Sequence, residues 1–139
     1  MAEKFNRSSI FEVEELESSI KETVETSFKL IRKYKQELNS INDVGLLDRM
    51  RTQRKLESYT SGEIASIAYQ NFSNLPKCEK GYADFILILN TKKEKIGKRL
   101  TKRIIDESIS RIDGDRSALK KFLRLEAKRK VYYVGNYDI

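Results

Sequence analysis

The side chains best placed to do chemistry in this chain are cations, and they are unevenly distributed. Residues 1–45 carry 7 basic and 9 acidic side chains, net −2, whereas residues 81–139 carry 15 basic and 8 acidic, net +7. All 15 of those cations fall between Lys92 and Lys130. Such asymmetry points to an anionic partner more directly than overall charge does. On a helix with about 100° per residue, Lys95, Lys98, Arg99 and Lys102 fall within about a third of the circumference. Ile96, Leu100 and Ile104 point the other way. Farther on, Lys120, Lys121, Arg124 and Lys128 share one side of a second helix, opposite Leu119, Phe122 and Leu123. Two such faces can follow a phosphate backbone, each neutralised phosphate releasing a counterion. Lys128, Arg129 and Lys130 stand almost directly before Tyr132 and Tyr133, and cations interleaved with aromatics can grip a single strand by charge and stacking. The plainer reading of a charge run is a solvated helix face. On that reading Asp106, Glu107, Asp113, Asp115 and Glu126 neutralise much of it through local pairs, and the tyrosines pack.

Other chemistries are excluded or weak. With no His, a histidine general base and a Ser-His-Asp triad are impossible. One Cys, Cys78, excludes a disulfide framework within the chain and a zinc site built on Cys and His. Asp84 with Glu94 and Lys95 resembles the carboxylates and lysine that hold a divalent ion beside a phosphate. Glu94, however, is better explained as the third residue of a helix start at Thr91. Asp113-Gly114-Asp115 lacks the further acidic ligands of a calcium loop and reads as a turn. The six glycines are scattered, so no phosphate-cradling loop is visible. Cys78, between Lys77 and Lys80, reads as a reduced surface or half-buried thiol. No catalytic residue, metal or cofactor is expected.

The elements that must position the cations are helical by pattern. From Ser9 to Ile41, apolar residues recur at Val13, Leu16, Ile20, Val24, Phe28, Ile31, Tyr34, Leu38 and Ile41, in steps of three or four. This predicts a long amphipathic helix over 9–41, capped by Ser9 with Glu12, behind a loose arm at 1–8. A strict heptad would continue through Thr23 and Ser27 rather than Val24 and Phe28, so a broad-striped globular helix is favoured over a two-stranded coiled coil. Asn42, Asp43 and Gly45 make a turn. A second helix is expected from Leu46 to about Leu56, with Leu47, Met50 and Leu56 as its apolar residues. A third is expected after a Thr60–Glu63 capping pair, ending at Pro76. The run Phe85-Ile86-Leu87-Ile88-Leu89 fits a buried strand or a buried helix, and the helical tenor of the chain favours helix. A helix from about Thr91 to Ile112 and another over 117–130 carry the basic region at 92–130. The tail at 131–138 is β-prone.

At 139 residues the chain suits one domain with one core. The expected fold is mainly α: a small helical bundle organised on the long N-terminal helix, with candidate short β elements at 82–90 and 131–138. The first residues lack the apolar core of a signal peptide, no apolar run is long enough for a membrane span, and a lone thiol suits a reducing compartment. An intracellular, cytoplasmic protein without membrane attachment is expected. The expected function is non-enzymatic binding of nucleic acid, DNA or RNA, with low sequence specificity, as an accessory subunit of a larger assembly. The rival expectation is a protein-interaction or oligomerisation subunit that pairs through the 9–41 helix, whose stripe the shorter helices would leave partly bare.

Overall fold

The computed structural model describes residues 7–41, 44–112 and 116–128, and side chains from residue 12 onward. Six helices follow one another within these residues: α1 (Arg7–Asn39), α2 (Leu46–Phe72), α3 (Cys78–Thr91), α4 (Lys93–Ile96), α5 (Lys98–Ser110) and α6 (Ser117–Glu126). Their buried apolar side chains form one contiguous core.

α1 spans 33 residues, about 50 Å at 1.5 Å per residue. It begins at Arg7, two residues before the expected Ser9 cap, and ends at Asn39 rather than Ile41. Leu16, Ile20, Val24, Phe28, Ile31 and Tyr34 are buried, and so are the heptad positions Thr23 and Ser27. The stripe is therefore broad, and it is covered by α2 and α3 within the same chain. Thr23 ties α1 to α2: its Oγ1 donates to the Ser19 carbonyl at 2.6 Å and accepts from Asn71 Nδ2 at 2.9 Å. Val13, expected inside, is exposed.

The largest departure from the sequence pattern is α2. The two helices expected around Thr60 are one helix of 27 residues. Thr60 and Glu63 do not cap anything, because no residue between Leu56 and Ile64 forces a break. Gly62 alone weakens the helix, by about 1 kcal/mol relative to Ala. Burial along α2 begins at Glu57, where the helix meets α1 on one side and α5 on the other. Its first turns stand clear of the core, which leaves Leu47 and Met50 exposed beside Leu46, while Leu56 packs partly buried against the core.

Residues 82–90 are helical, so no strand forms there. α3 buries Tyr82, Ala83, Phe85, Ile86, Ile88 and Leu89, more than half its circumference, because α1, α2, α5 and α6 all pack on it. Its open stripe, Lys80, Asp84, Leu87 and Thr91, crosses the run 85–89 only at the apolar Leu87, so no polar residue marks a period there and the run resembled a buried strand. Gly81 lets α3 approach its neighbours. A Cβ there would lie 2.9 Å from Phe72 Cδ1 and 3.1 Å from Leu16 Cδ1. Phe72 in turn meets Tyr82 edge-on, with ring centroids 5.2 Å apart.

The helix expected from Thr91 to Ile112 is interrupted. Thr91 closes α3, its hydroxyl donating back to the Leu87 carbonyl at 2.8 Å rather than capping a new helix. α4 is a single turn that ends at Gly97, whose φ of 109° only glycine adopts readily. The Gly97 carbonyl then accepts from the Thr101 amide at 2.9 Å and the Thr101 hydroxyl at 2.8 Å, starting α5 in a new direction. α6 packs on α3 and α5 through Leu123, with Leu119 and Ala127 one turn to either side. Phe122, expected inward, lies off that line and is largely exposed. The β-prone tail at 131–138 and the Asp113-Gly114-Asp115 turn lie outside the described residues.

Candidate nucleic-acid interface

α5 and α6 bound a cleft of about 420 Å³, lined as well by Asn90 of α3 and Lys93 of α4. The α5 wall is a single stripe of Lys98, Thr101, Lys102, Ile105, Asp106 and Ile109, in steps of one turn. Within it Thr101, Ile105 and Ile109 are buried and make the floor, while Lys98, Lys102 and Asp106 stand exposed at the rim. Facing it, Arg124 of α6 with Ala127 and Lys128 of the turn that follows repeat the spacing. Five cations, Lys93, Lys98, Lys102, Arg124 and Lys128, thus surround an apolar floor with one carboxylate, Asp106, among them.

Among the described residues, one ion pair reaches these cations. Lys98 faces Glu94 across 3.6 Å, an exposed pair that contributes at most about 1 kcal/mol. Among the described residues, Lys93, Lys102, Arg124 and Lys128 make no ion pair. The neutralisation expected from local acids is spent elsewhere in part: Glu107 pairs with Arg111 at 3.7 Å on the same helix.

The expected binding residues are divided by the fold. Lys98, Lys102, Arg124 and Lys128 meet at the cleft. Lys95 does not join them, although Lys93 of the same turn does; the Lys95 backbone carbonyl accepts from the Lys35 ammonium. Arg99 turns away to Glu57 on α2. Lys120 and Lys121 lie on α6 outside the cleft lining. Arg129, Lys130, Tyr132 and Tyr133 lie outside the described residues. The sequence pattern missed Lys93, Asn90, Thr101 and Asp106. Thr101 and Asp106 carried a usable signal, since each stands within one turn of Lys98 or Lys102 on the same face.

The Arg99 site is a structural cluster. Glu57 is buried, with Arg99 Nε 3.1 Å and Arg103 Nη1 3.9 Å from its Oε2. Neither guanidinium aligns as a hydrogen bond to that oxygen. On the other side Tyr34 donates its hydroxyl to Oε1 at 3.4 Å and Gln53 its amide at 3.5 Å. Burial, reinforced by the Glu57 charge, pushes the Tyr34 hydroxyl above the usual tyrosine range. The group joins α1, α2 and α5, and its buried carboxylate draws Arg99 away from the cleft.

Two weaker candidates resolve into ordinary pairs. Asp84 accepts from Lys80 at 3.2 Å, one turn away, and Glu94 faces Lys98. Among the described residues no group of three or more acidic or Cys side chains is arranged to hold a metal ion. Cys78 is buried at the start of α3, not at the surface, and its Sγ accepts from Arg116 Nη1 at 3.4 Å. No helix of the described residues is long and apolar enough to cross a membrane. Comparison with protein-family models, characterised proteins and solved structures finds no match to this chain.

Proposed function

We propose that this chain is a non-enzymatic nucleic-acid-binding accessory protein that holds a phosphate backbone in the α5–α6 cleft. The observation that carries the reading is the convergence of Lys93, Lys98, Lys102, Arg124 and Lys128 on one cleft with one carboxylate among them. Phosphate contacts made by flexible lysines position a nucleic acid without reading its sequence, so specificity is low. Fluorescence-anisotropy titration against labelled DNA and RNA, single- and double-stranded, at several salt concentrations tests it. Each phosphate neutralised lowers the slope of log affinity against log salt by about 0.9 on a duplex or about 0.7 on a single strand. Absence of binding at low salt contradicts the reading.

One observation favours a second reading, a protein-interaction subunit. The stripe of α1 is covered within the chain, but the free end of α2 exposes Leu46 (74%) and Leu47 (69%), beside Val44 and Met50. Adjacent exposed apolar side chains at a helix end suit a protein contact. Sedimentation at rising concentration distinguishes the homo-oligomeric version, which predicts a concentration-dependent mass that Leu46→Ser with Leu47→Ser abolishes. A strict monomer removes it.

A further inference from the structure

The cleft has features that a surface merely tracking phosphates does not need. Its bottom is apolar, formed by Ile105 and Ile109 with Ala127 opposite. At about 420 Å³ it has the size of a pocket for a small organic group. Water over an apolar floor is readily displaced by a flat apolar face. Asp106 sits on the same rim, where its charge repels a phosphate but can accept a hydrogen bond from an amino or imino group. Arg124 brings a guanidinium plane, which stacks on bases as well as pairing with phosphates.

We propose that the cleft seats an unpaired nucleobase of a single-stranded nucleic acid, the base lying over Ile105 and Ile109 and the flanking phosphates held by Lys98, Lys102, Arg124 and Lys128. This rests on the nucleic-acid reading above and narrows it. In a duplex the bases are stacked inside and offer the floor nothing, so the apolar part of the cleft stays unused. In a single strand the base can leave its neighbours and enter. Charge supplies attraction along the strand, and the floor supplies a contribution that does not depend on salt.

The test compares four ligands on the full chain by anisotropy at one low salt concentration. They are a base-containing single strand, an abasic sugar–phosphate strand of equal length, a duplex of that length, and a free nucleoside monophosphate as competitor. The base-containing strand binds roughly fivefold or more tightly than the abasic strand, the low end expected for one seated base, and more tightly than the duplex. Both single strands show the same salt slope, because their phosphates are the same. Filling the cleft with Ala127→Leu, at a half-buried position in the turn after α6, removes the advantage of the base and leaves abasic binding in place. A thermal melt confirms that this variant folds. If its melt shows a loss of fold, the smaller Ala127→Val reduces the base advantage in its stead, and an unchanged advantage in a folded variant overturns the inference. Equal binding of the abasic strand or of the duplex overturns the inference and leaves the phosphate-binding reading standing. A monophosphate that binds as tightly as the strand also overturns it, assigning the cleft to a free nucleotide. No binding of any strand overturns both.

Discussion

Arg99 and Lys102 stand three positions apart on α5, yet their surroundings assign them different roles. Arg99 is committed to the buried carboxylate of Glu57, whereas Lys102 stands at the cleft rim without an ion-pair partner among the described residues. Arg99→Ala leaves Glu57 Oε2 with only the more distant Arg103 as a cationic partner and costs about 1–3 kcal/mol of stability, the range for an under-satisfied buried charged group. Chemical denaturation measures that loss, and nucleic-acid affinity changes little. Lys102→Ala behaves oppositely. Its stability stays within about 0.5 kcal/mol of the parent, while binding weakens evenly across sequences and the salt slope shallows by about one. The sequence alone could not separate the two, because Glu57 lies 42 positions away and on another helix. Tyr34 and Tyr82 provide a pH test. Burial raises both hydroxyls above the ordinary value of 10.0. Unfolding lets them ionise at that ordinary value, so their contribution is complete below about pH 10 and is lost as pH rises through the folded-state values. Stability therefore falls above pH 10, and Tyr34→Phe with Tyr82→Phe flattens the decline in denaturation curves taken across that range.

Among the elements, α3 and α2 show what hydrophobic pattern conveys and what it omits. The stripe of α1 was legible because α1 has a solvent face: exposed Glu14, Glu22, Glu25 and Lys29 alternate with buried Leu16, Ile20, Val24 and Phe28. α3 has a narrow open face, Lys80, Asp84, Leu87 and Thr91, that meets the run 85–89 only at the apolar Leu87, so periodicity within the run could not distinguish helix from strand. In α2 the Thr60–Glu63 pair has the composition of a cap without a break before it to cap. The first turns of α2 read as amphipathic yet have nothing to pack on, so Leu47 and Met50 face outward. The tightest element contact is testable. Gly81→Ala gains about 1 kcal/mol in helix propensity. It also drives a methyl to 2.9 Å from a Phe72 ring that is itself fully buried, and overpacking of that kind costs about 1–3 kcal/mol. A net loss in melting temperature follows. A gain would mean that α3 can slide away from α1 and α2 without loss.

Across the whole molecule, the fold turns a linear excess of charge into a local one. The basic region at 92–130 was evident from composition. That two of its helices face each other over an apolar floor was not, because the pairing depends on Gly97 redirecting α5 and on α6 folding back across α3 and α5. The same fold removes Lys95, Arg99, Lys120 and Lys121 from the cleft and adds Lys93, leaving a smaller and more concentrated site than the sequence implied. The central claim is that this concentration of cations, rather than the net charge of +7, binds nucleic acid. Its most direct test is the salt dependence of single-strand binding for the parent chain and for a variant with Lys98, Lys102, Arg124 and Lys128 all changed to Ala, beside a control with Lys95, Lys120 and Lys121 changed to Ala. The account predicts that the cleft variant loses most of the affinity and that its slope of log affinity against log salt shallows by about three, at roughly 0.7 per lost phosphate contact, while the control keeps the parent slope to within about one. Equal losses in the two variants, scaling only with the charge removed, would contradict it.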